Sequence, residues 1–494
     1  MSLLIKGVQV ISGAGGGAYR SDVLVQKNII SSIGSLKDRG ADKVIEGLGN
    51  YLVPGFIDPH ARSDHYCSIF SNPRQEDLLK QGVTSILGGA CGVSLAPLLY
   101  GTPDLVETWS DTGEININWH SLDELLTQLE KNKLGINFGT LIGHSTLRRD
   151  IASDRKTLDK KELAVLRRLV ADSLEEGAYG VSTDLGLGYG GAISSAELKE
   201  VSGAIHDAGA VHVIGLRDPK NPVKSVEEII KLAQVSKTKV LIDGLRPTIG
   251  HTKEFKKALD AVRNTPSKMD VRFLLEPFET REIPIRTLLP ELAWKNSADQ
   301  ALEWLRSTGG RRATRESLQN YDLRSIRVAS APRHHFLVGK TIKQIADNWG
   351  IDYIDAIRKI ADISNLGATV FYSDISAPTL RSTLGEKSAI ITADATGVRP
   401  GGGHSVNEST RETFPNFLRG VVSEGLLSLE DAIKRITSVP AQLFGLENRG
   451  LVEEGFIADL VILSKDNYEV RNVVLGGMIF GESKLRGEVL RHYG

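Results

Sequence analysis

The central part of the chain alternates apolar segments of strand character with amphipathic helical segments. Residues 83–87 (VTSIL) are typical of a buried strand, and residues 162–174 place leucine and valine on one helical stripe. Residues 211–214 and 240–242 are again strand-like, with a helical segment at 226–233 between them. Repeated βα units predict a parallel sheet, and the length of 494 residues favours a closed, TIM-like (β/α)8 barrel. A doubly wound sheet is the competing α/β topology, which periodicity alone leaves open.

Both ends of the chain carry a different pattern. Short alternating runs bounded by glycine or asparagine occupy residues 3–34 and 458–480, which is typical of antiparallel hairpins. We therefore expect a small β-sandwich domain formed by residues 1–54 and 448–494, with the barrel at residues 55–447.

An arginine-rich stretch, residues 302–333, interrupts the strand–helix alternation. The sequence of this stretch does not continue the strand–helix pattern. We expect an inserted lid or small subdomain around residues 291–350.

Charge and composition exclude several classes of partner. The 60 Lys and Arg residues nearly balance the 61 Asp and Glu residues, which argues against nucleic acid or an anionic membrane surface. No apolar stretch approaches the roughly 20 residues that span a bilayer, and the N-terminus lacks the pattern of a signal peptide. Two cysteines, Cys67 and Cys91, cannot build a disulfide framework. We expect a cytoplasmic protein whose partner is a small-molecule substrate or ligand.

Residues 53–60 (VPGFIDPH) carry the first chemical signal, because an apolar strand there ends in His60. In parallel barrels this end of a strand holds the active site, although a lone histidine is more often structural. The longer segment VPGFIDPHARSD resembles the opening strand of the amidohydrolase superfamily, PGFID-x-H-x-H, whose two histidines point into the barrel. His60 keeps the first histidine position and Arg62 replaces the second.

Further motifs resemble one branch of that superfamily, the N-acyl-D-amino-acid deacylases. Residues 81–97 (QGVTSILGGACGVSLAP) are similar to a family segment whose cysteine, here Cys91, is a metal ligand. Other similar segments follow in family order: GHSTLR at 143–148, GAYGVST at 177–183, EPF at 276–278, TFP at 413–415 and GFIADLV at 455–461. The resemblance implies a metal-dependent hydrolase of non-peptide C–N (amide) bonds.

The same resemblance shows that ligands of the family's metal site are missing. The Arg-Asp pair that follows the strand at 211–214 fixes a register in which Gly215 stands for one family histidine, and Gly244 stands for the next. His212 is no simple substitute, because three residues away on a strand it faces the opposite side. A rival register would place His251, rather than Gly244, in the second position.

Three candidates for the family's chemistry remain. His60 and Cys91 are candidate metal ligands, and an apolar strand ends in Asp394, which the resemblance makes the general base. The family's following HPR reads His404-Ser405-Val406, without the arginine. A catalytic zinc needs about three protein ligands, and the fixed charge of Arg62 would repel it. We therefore expect zinc (Zn²⁺) to bind weakly or not at all.

Two functions are compatible with these residues. In the first, the chain is a working amidohydrolase in which Asp394 moves the proton and Arg246, Arg62 and Phe278 contact the substrate. In the alternative, the barrel is catalytically inactive or repurposed and binds a small anionic ligand without metal. Arg62 and Asp394 would then form an ion pair at the former metal site.

Overall fold

The computed structural model of the protein describes most of the chain. The described residues are 1–36, 39–100, 103, 105–106, 109–110, 115–153, 155, 157–186, 188–290, 292–295, 298–319, 321–396, 405 and 409–493. The segment around His404 and Val406, where the sequence departs from the family's HPR, lies outside them.

Twenty β-strands are present in the described residues. In chain order they are β1 Ser2–Val10, β2 Tyr19–Gln26, β3 Ile29–Gly34, β4 Lys43–Glu46, β5 Tyr51–Pro54, β6 Phe56–Asp58, β7 Val83–Gly88, β8 Asn137–Thr140, β9 Ile142–Gly143, β10 Gly180–Asp184, β11 Val211–Gly215, β12 Lys239–Asp243, β13 Val271–Leu275, β14 Thr280–Pro284, β15 Arg327–Ser330, β16 Thr369–Ser373, β17 Ala389–Ile391, β18 Leu460–Leu463, β19 Val470–Leu475 and β20 Met478–Ile479.

Seventeen α-helices are present in the same residues, and none of them has the length and apolar character needed to cross a membrane. In chain order they are α1 Ser68–Ser71, α2 Glu76–Lys80, α3 Leu122–Lys131, α4 His144–Ala152, α5 Lys160–Glu175, α6 Ser195–Asp207, α7 Pro222–Ser236, α8 Thr252–Arg263, α9 Leu292–Lys295, α10 Ala298–Arg306, α11 Thr308–Leu318, α12 Ile342–Trp349, α13 Tyr353–Ile363, α14 Ala377–Thr383, α15 Ser409–Ser423, α16 Leu429–Ile436 and α17 Ser438–Phe444.

Helix α5 shows how local sequence sets these elements. The Asp159 side chain caps its first turn by accepting hydrogen bonds from backbone N–H groups. The Glu162 carboxylate in turn accepts a hydrogen bond from the Asp159 N–H. This capping box satisfies donors that the helix itself cannot pair. Leu166, Val170 and Leu174 form the buried stripe, so the helix expected over residues 162–174 is confirmed.

Two parallel sheets form the centre of the fold. One contains β6, β7 and β8, and the other contains β9, β10, β11, β12, β13 and β17 in chain order. Leu141 alone separates β8 from β9 along the chain. At the other edges, the Thr392 hydroxyl donates to Asp58 Oδ1 over 2.6 Å. The parallel sheet predicted from the strand–helix alternation is therefore present.

Strands from both ends of the chain lie in one eight-stranded sheet. Its order is β20-β19-β18-β5-β1-β2-β3, and β4 pairs with β1. β5 and β18 pair antiparallel, which joins the two ends directly. Because β5 ends at Pro54 and β6 begins at Phe56, the chain passes from this sheet into the parallel strands at Gly55.

A third unit carries its own hydrophobic core. Strands β14, β16 and β15 form an antiparallel sheet, and buried side chains from Ile283 to Tyr372 cluster around it and helices α10 to α13. The arginine-rich stretch lies here, where Arg306 pairs with Asp362 and Arg311 with Asp355. These partners explain why so many arginines occur in one segment.

Two buried histidines form hydrogen bonds that link β10, β11 and α6. His212 is fully buried and is hydrogen-bonded to Thr183 Oγ1 over 2.8 Å and to Ser202 Oγ over 2.9 Å. Ser202 belongs to α6, so His212 faces the helices, as its position in the strand predicts. His144 is hydrogen-bonded to Thr183 and to Glu197, which gives it a structural environment. Burial lowers the pKa of His212 to about 3.

This pKa predicts acid sensitivity from His212. An unfolded histidine takes up a proton near pH 6.5, whereas folded His212 stays neutral, so stability falls as the pH drops below about 6.5, by up to about 1.4 kcal/mol per pH unit. We expect His212→Asn to have a lower melting temperature than the wild type at pH 7. The difference between the two melting temperatures should become smaller towards pH 5. Calorimetric melting temperatures from pH 7 to 5 measure this. His206→Asn, at an exposed position of α6, is the control, and a gap that stays constant across this range would contradict the account.

Candidate active site

Charged and polar side chains collect where the parallel strands end. His60 follows β6, Asp243 ends β12, Glu276 follows β13 and Asp394 follows β17, while Cys91 lies in the loop after β7. The carboxyl ends of parallel strands share one edge, which is where ligands bind in such folds. These five side chains therefore belong to one candidate site.

His60, Cys91 and Asp243 form a group of three possible metal ligands. One ligand atom from each lies within 4.8 Å of the others. His60 Nε2 is 3.3 Å from Asp243 Oδ2 and 4.0 Å from Cys91 Sγ. Among the described residues, Asp243 Oδ1 is buried without a hydrogen-bond partner. Imidazole, thiolate and carboxylate are all zinc ligands, so the donor set fits a divalent ion.

The pKa values of these three groups depend on one another. Burial alone would lower the pKa of His60, but the carboxylates of Asp243 and Asp394 raise it well above its ordinary value. Burial opposes ionisation of Asp243, yet His60 lowers the pKa of that carboxyl to about 2. For Cys91 burial dominates, and the pKa of the thiol is raised although Arg62 and His60 act against it.

The formal charges around the group balance. Three cations and three carboxylates lie together, and they are His60, Arg62, Arg246, Asp243, Glu276 and Asp394. A divalent ion would add two positive charges. Its binding would also displace one proton from His60 and one from Cys91, which removes two positive charges. The sum would remain zero, so the buried cluster can accept a divalent ion without an unpaired charge.

Arg62 and Asp394 form the ion pair that the sequence suggested. Arg62 Nε and Nη2 each donate to one oxygen of Asp394, both over 2.5 Å. Asp394 Oδ1 also lies 3.0 Å from His60 Nδ1, and the guanidinium carbon stacks 4.5 Å from the centre of the Trp109 ring. Although burial acts in the opposite direction, Arg62 and His60 hold the pKa of Asp394 well below its usual range.

The predicted substrate-binding residues occupy different places. Arg246 contacts Glu276 in an ion pair and lies 3.9 Å from Asp243, so its charge is already matched within the cluster. Phe278 lines a neighbouring groove of about 710 Å³ that also contains Arg327 and Arg381. The structure therefore brings Arg62 and Arg246 together at the strand ends and places Phe278 beside a separate groove.

Gly215 and Gly244, which the motif register aligns with family histidines, have different surroundings. A Cβ atom on Gly215 would lie 2.9 Å from the carboxyl carbon of Asp184, so this side chain fills the space. Gly244 has a φ of +77° and directly follows β12. His251, the rival ligand, is the N-cap residue of α8 and lies outside the three-ligand group.

Sequence reasoning missed Asp243. The signal was available, because residues 240–243 form an apolar strand that ends in an acid, as does the strand before Asp394. The family register points to the next residue, Gly244, and assigns no role to Asp243. A strand-ending acid in a predicted parallel sheet is the feature that would have found it.

The ion pair generates a prediction about stability. Asp394→Ala would leave Arg62 buried without its partner, which costs about 3–5 kcal/mol. We expect a smaller loss from the double variant Arg62→Leu/Asp394→Leu, which removes both charges. Arg312→Ala is the control, because its pair with Glu316 is exposed and such pairs contribute about 0–1 kcal/mol. Urea unfolding midpoints measure the stability of all three variants. Equal losses of stability in Asp394→Ala and Arg312→Ala would contradict a stabilising buried ion pair.

Known proteins with this architecture include characterised hydrolases. Residues 296–480 match the amidohydrolase family. N-acyl-D-glutamate deacylase from Alcaligenes xylosoxydans xylosoxydans is 27% identical over 483 residues, which cover 94% of this chain and 88% of the relative. The solved N-acyl-D-glutamate deacylase from Bordetella bronchiseptica, complexed with zinc and a phosphonate inhibitor, superposes with a TM-score of 0.81 at 22% identity and 99% coverage of both chains.

A D-aminoacylase structure, solved to define the functional role of its binuclear metal center, has a TM-score of 0.79 at 22% identity and 99% coverage of both chains. The chain thus contains an amidohydrolase domain and has the amidohydrolase fold. Within this class it is a homologue of the N-acyl-D-glutamate and N-acyl-D-aspartate deacylases and of D-aminoacylase. The homology to these deacylases that the motifs suggested is confirmed.

Proposed function

We propose that this chain is an amidohydrolase that cleaves a non-peptide C–N (amide) bond with one divalent metal ion held by His60, Cys91 and Asp243. The observation that carries the proposal is the convergence of these three donors within 4.8 Å at the ends of the parallel strands. Homology to deacylases of N-acyl-D-amino acids supports the reaction class. When bound, such an ion supplies a Lewis acid and activates water near neutral pH.

Asp394 is the proton carrier in this proposal. Its Oδ1 lies 3.0 Å from His60, beside the three-ligand group, where it can accept a proton from water and return it to the leaving nitrogen. Because Arg62 and His60 lower the pKa of Asp394, this carboxylate is a weak base. We therefore expect turnover to require the metal as well as Asp394.

Contacts between the edges of the two parallel sheets support a proposal about the fold. If β8 and β9 count as one strand interrupted at Leu141, the two parallel sheets would close into one eight-stranded (β/α)8 barrel. The sheets would join where Thr392 meets Asp58 and where Arg62 N–H donates to Ala395 O over 2.8 Å. Residues 1–54 and 448–494 would form the sandwich domain beside the barrel at 55–447. The separate hydrophobic core from Ile283 to Tyr372 favours an insertion wider than residues 291–350.

A specific observation also favours a second candidate function. Arg62 Nη1 is buried and, among the described residues, has no hydrogen-bond partner. A cation held in place by Asp394 with a spare donor is suited to a small anion. In this alternative the barrel is inactive or repurposed and binds an anionic ligand without metal.

Zinc analysis of ligand variants tests the metal site. Asp243 adds a third donor that the sequence analysis did not include, so in place of weak or absent binding we expect the wild type to take up about one zinc per chain. Asp243→Ala should weaken zinc binding more than about 100-fold, because losing a direct ligand costs more than losing a supporting group. His251→Ala is the matched control and should bind zinc normally. Zinc loss in His251→Ala with normal binding in Asp243→Ala would instead support the rival register.

Hydrolysis assays test the reaction. Acetate release from N-acetyl-D-amino acids should appear with zinc and disappear after chelation, and Asp394→Asn should lower kcat by about 10²–10⁴-fold. His251→Ala should retain activity. A zinc-free protein that releases no acetate but binds acetate or phosphate would favour the second candidate function.

A further inference from the structure

The carboxylates at the strand ends are unequally matched. Both oxygens of Asp394 accept hydrogen bonds from Arg62, and Glu276 is in contact with Arg246. Asp243 Oδ2 faces His60, whereas Asp243 Oδ1 lacks a hydrogen-bond partner in the described part of the chain. Arg246 Nη2 lies 3.9 Å from Asp243 Oδ1, so this oxygen is paired less closely than the carboxylates of Asp394 and Glu276.

Arg62 is held rigidly in its place. Its side chain is 7% exposed, its backbone N–H donates to Ala395 O, and its guanidinium carbon lies 4.5 Å from the centre of the Trp109 ring. A guanidinium group remains charged at every physiological pH. Arg62 thus contributes a permanent positive charge at a fixed point beside Asp394.

That point is close to the candidate metal ligands. Asp394 Oδ1 contacts Arg62 Nε on one side and His60 Nδ1 on the other, over 2.5 and 3.0 Å. A metal ion using Asp394 would have to displace the guanidinium and accept its repulsion.

We propose that Arg62 is a built-in cation that takes the place of a second metal ion, limiting this centre to one divalent ion and holding the Asp394 side chain beside His60 through its two hydrogen bonds. The inference builds on the metal site of the proposed function, but it concerns the number of ions rather than the reaction. It separates this chain from the D-aminoacylase whose binuclear metal center was studied. Arg62 is a positioning residue for Asp394 in this account.

The test is zinc stoichiometry after equilibrium dialysis against ZnCl₂, measured by inductively coupled plasma mass spectrometry. Wild type and Arg62→Lys, which keeps the charge, should each hold about one zinc per chain. Arg62→His removes the fixed charge and adds a ligand, so it should hold about two. Arg62→Gln also removes the charge but does not add the histidine ligand, so it should bind a second zinc more weakly than Arg62→His.

Several outcomes would overturn the inference. Two zinc ions in the wild type would do so without any variant, as would a folded Arg62→His that holds no more zinc than the wild type. If the wild type binds none but Arg62→His binds one or more, Arg62 excludes metal from the whole centre, and both the limit of one ion and the proposed function fail. If both bind one, the proposed metal site stands and the role given to Arg62 is wrong.

Discussion

The need to balance buried charge at the ends of the parallel strands governs this molecule. The strand ends bring Asp243, Glu276 and Asp394 to one edge, where isolated carboxylates would be costly to bury. Arg62, Arg246 and His60 offset them one for one. Each residue of the site therefore has a role in stability as well as a place in the proposed chemistry. The pairing of Arg62 with Asp394 thus makes a buried guanidinium compatible with the fold.

The fold of this chain resembles that of solved deacylases at low sequence identity. A TM-score of 0.81 to a zinc-containing deacylase coexists with 22% identity. Fold likeness reports strand and helix geometry, while function depends on the side chains that the strand ends present. Asp184 fills the space at Gly215, and Asp243 supplies a carboxylate beside Gly244.

Much of this could be predicted from sequence, because strand periodicity and motif order are local signals. They gave the parallel strands, helix α5, and His60 and Asp394 as neighbours across the fold. Asp243 was missed because its role depends on pairing and distance: it lies opposite Gly215 on the next strand and 3.3 Å from His60. The antiparallel sheet around Val370 was missed for the same reason, since its strands are far apart in sequence.

Zinc K-edge X-ray absorption on the zinc-loaded protein tests the central claim most directly. The account predicts one sulfur scatterer at about 2.3 Å, from Cys91, with nitrogen and oxygen donors at about 2.0–2.2 Å. It also predicts no zinc–zinc scattering, because Arg62 occupies the place of a second ion. A zinc shell without sulfur, or a zinc–zinc vector of about 3.5–4 Å, would contradict it.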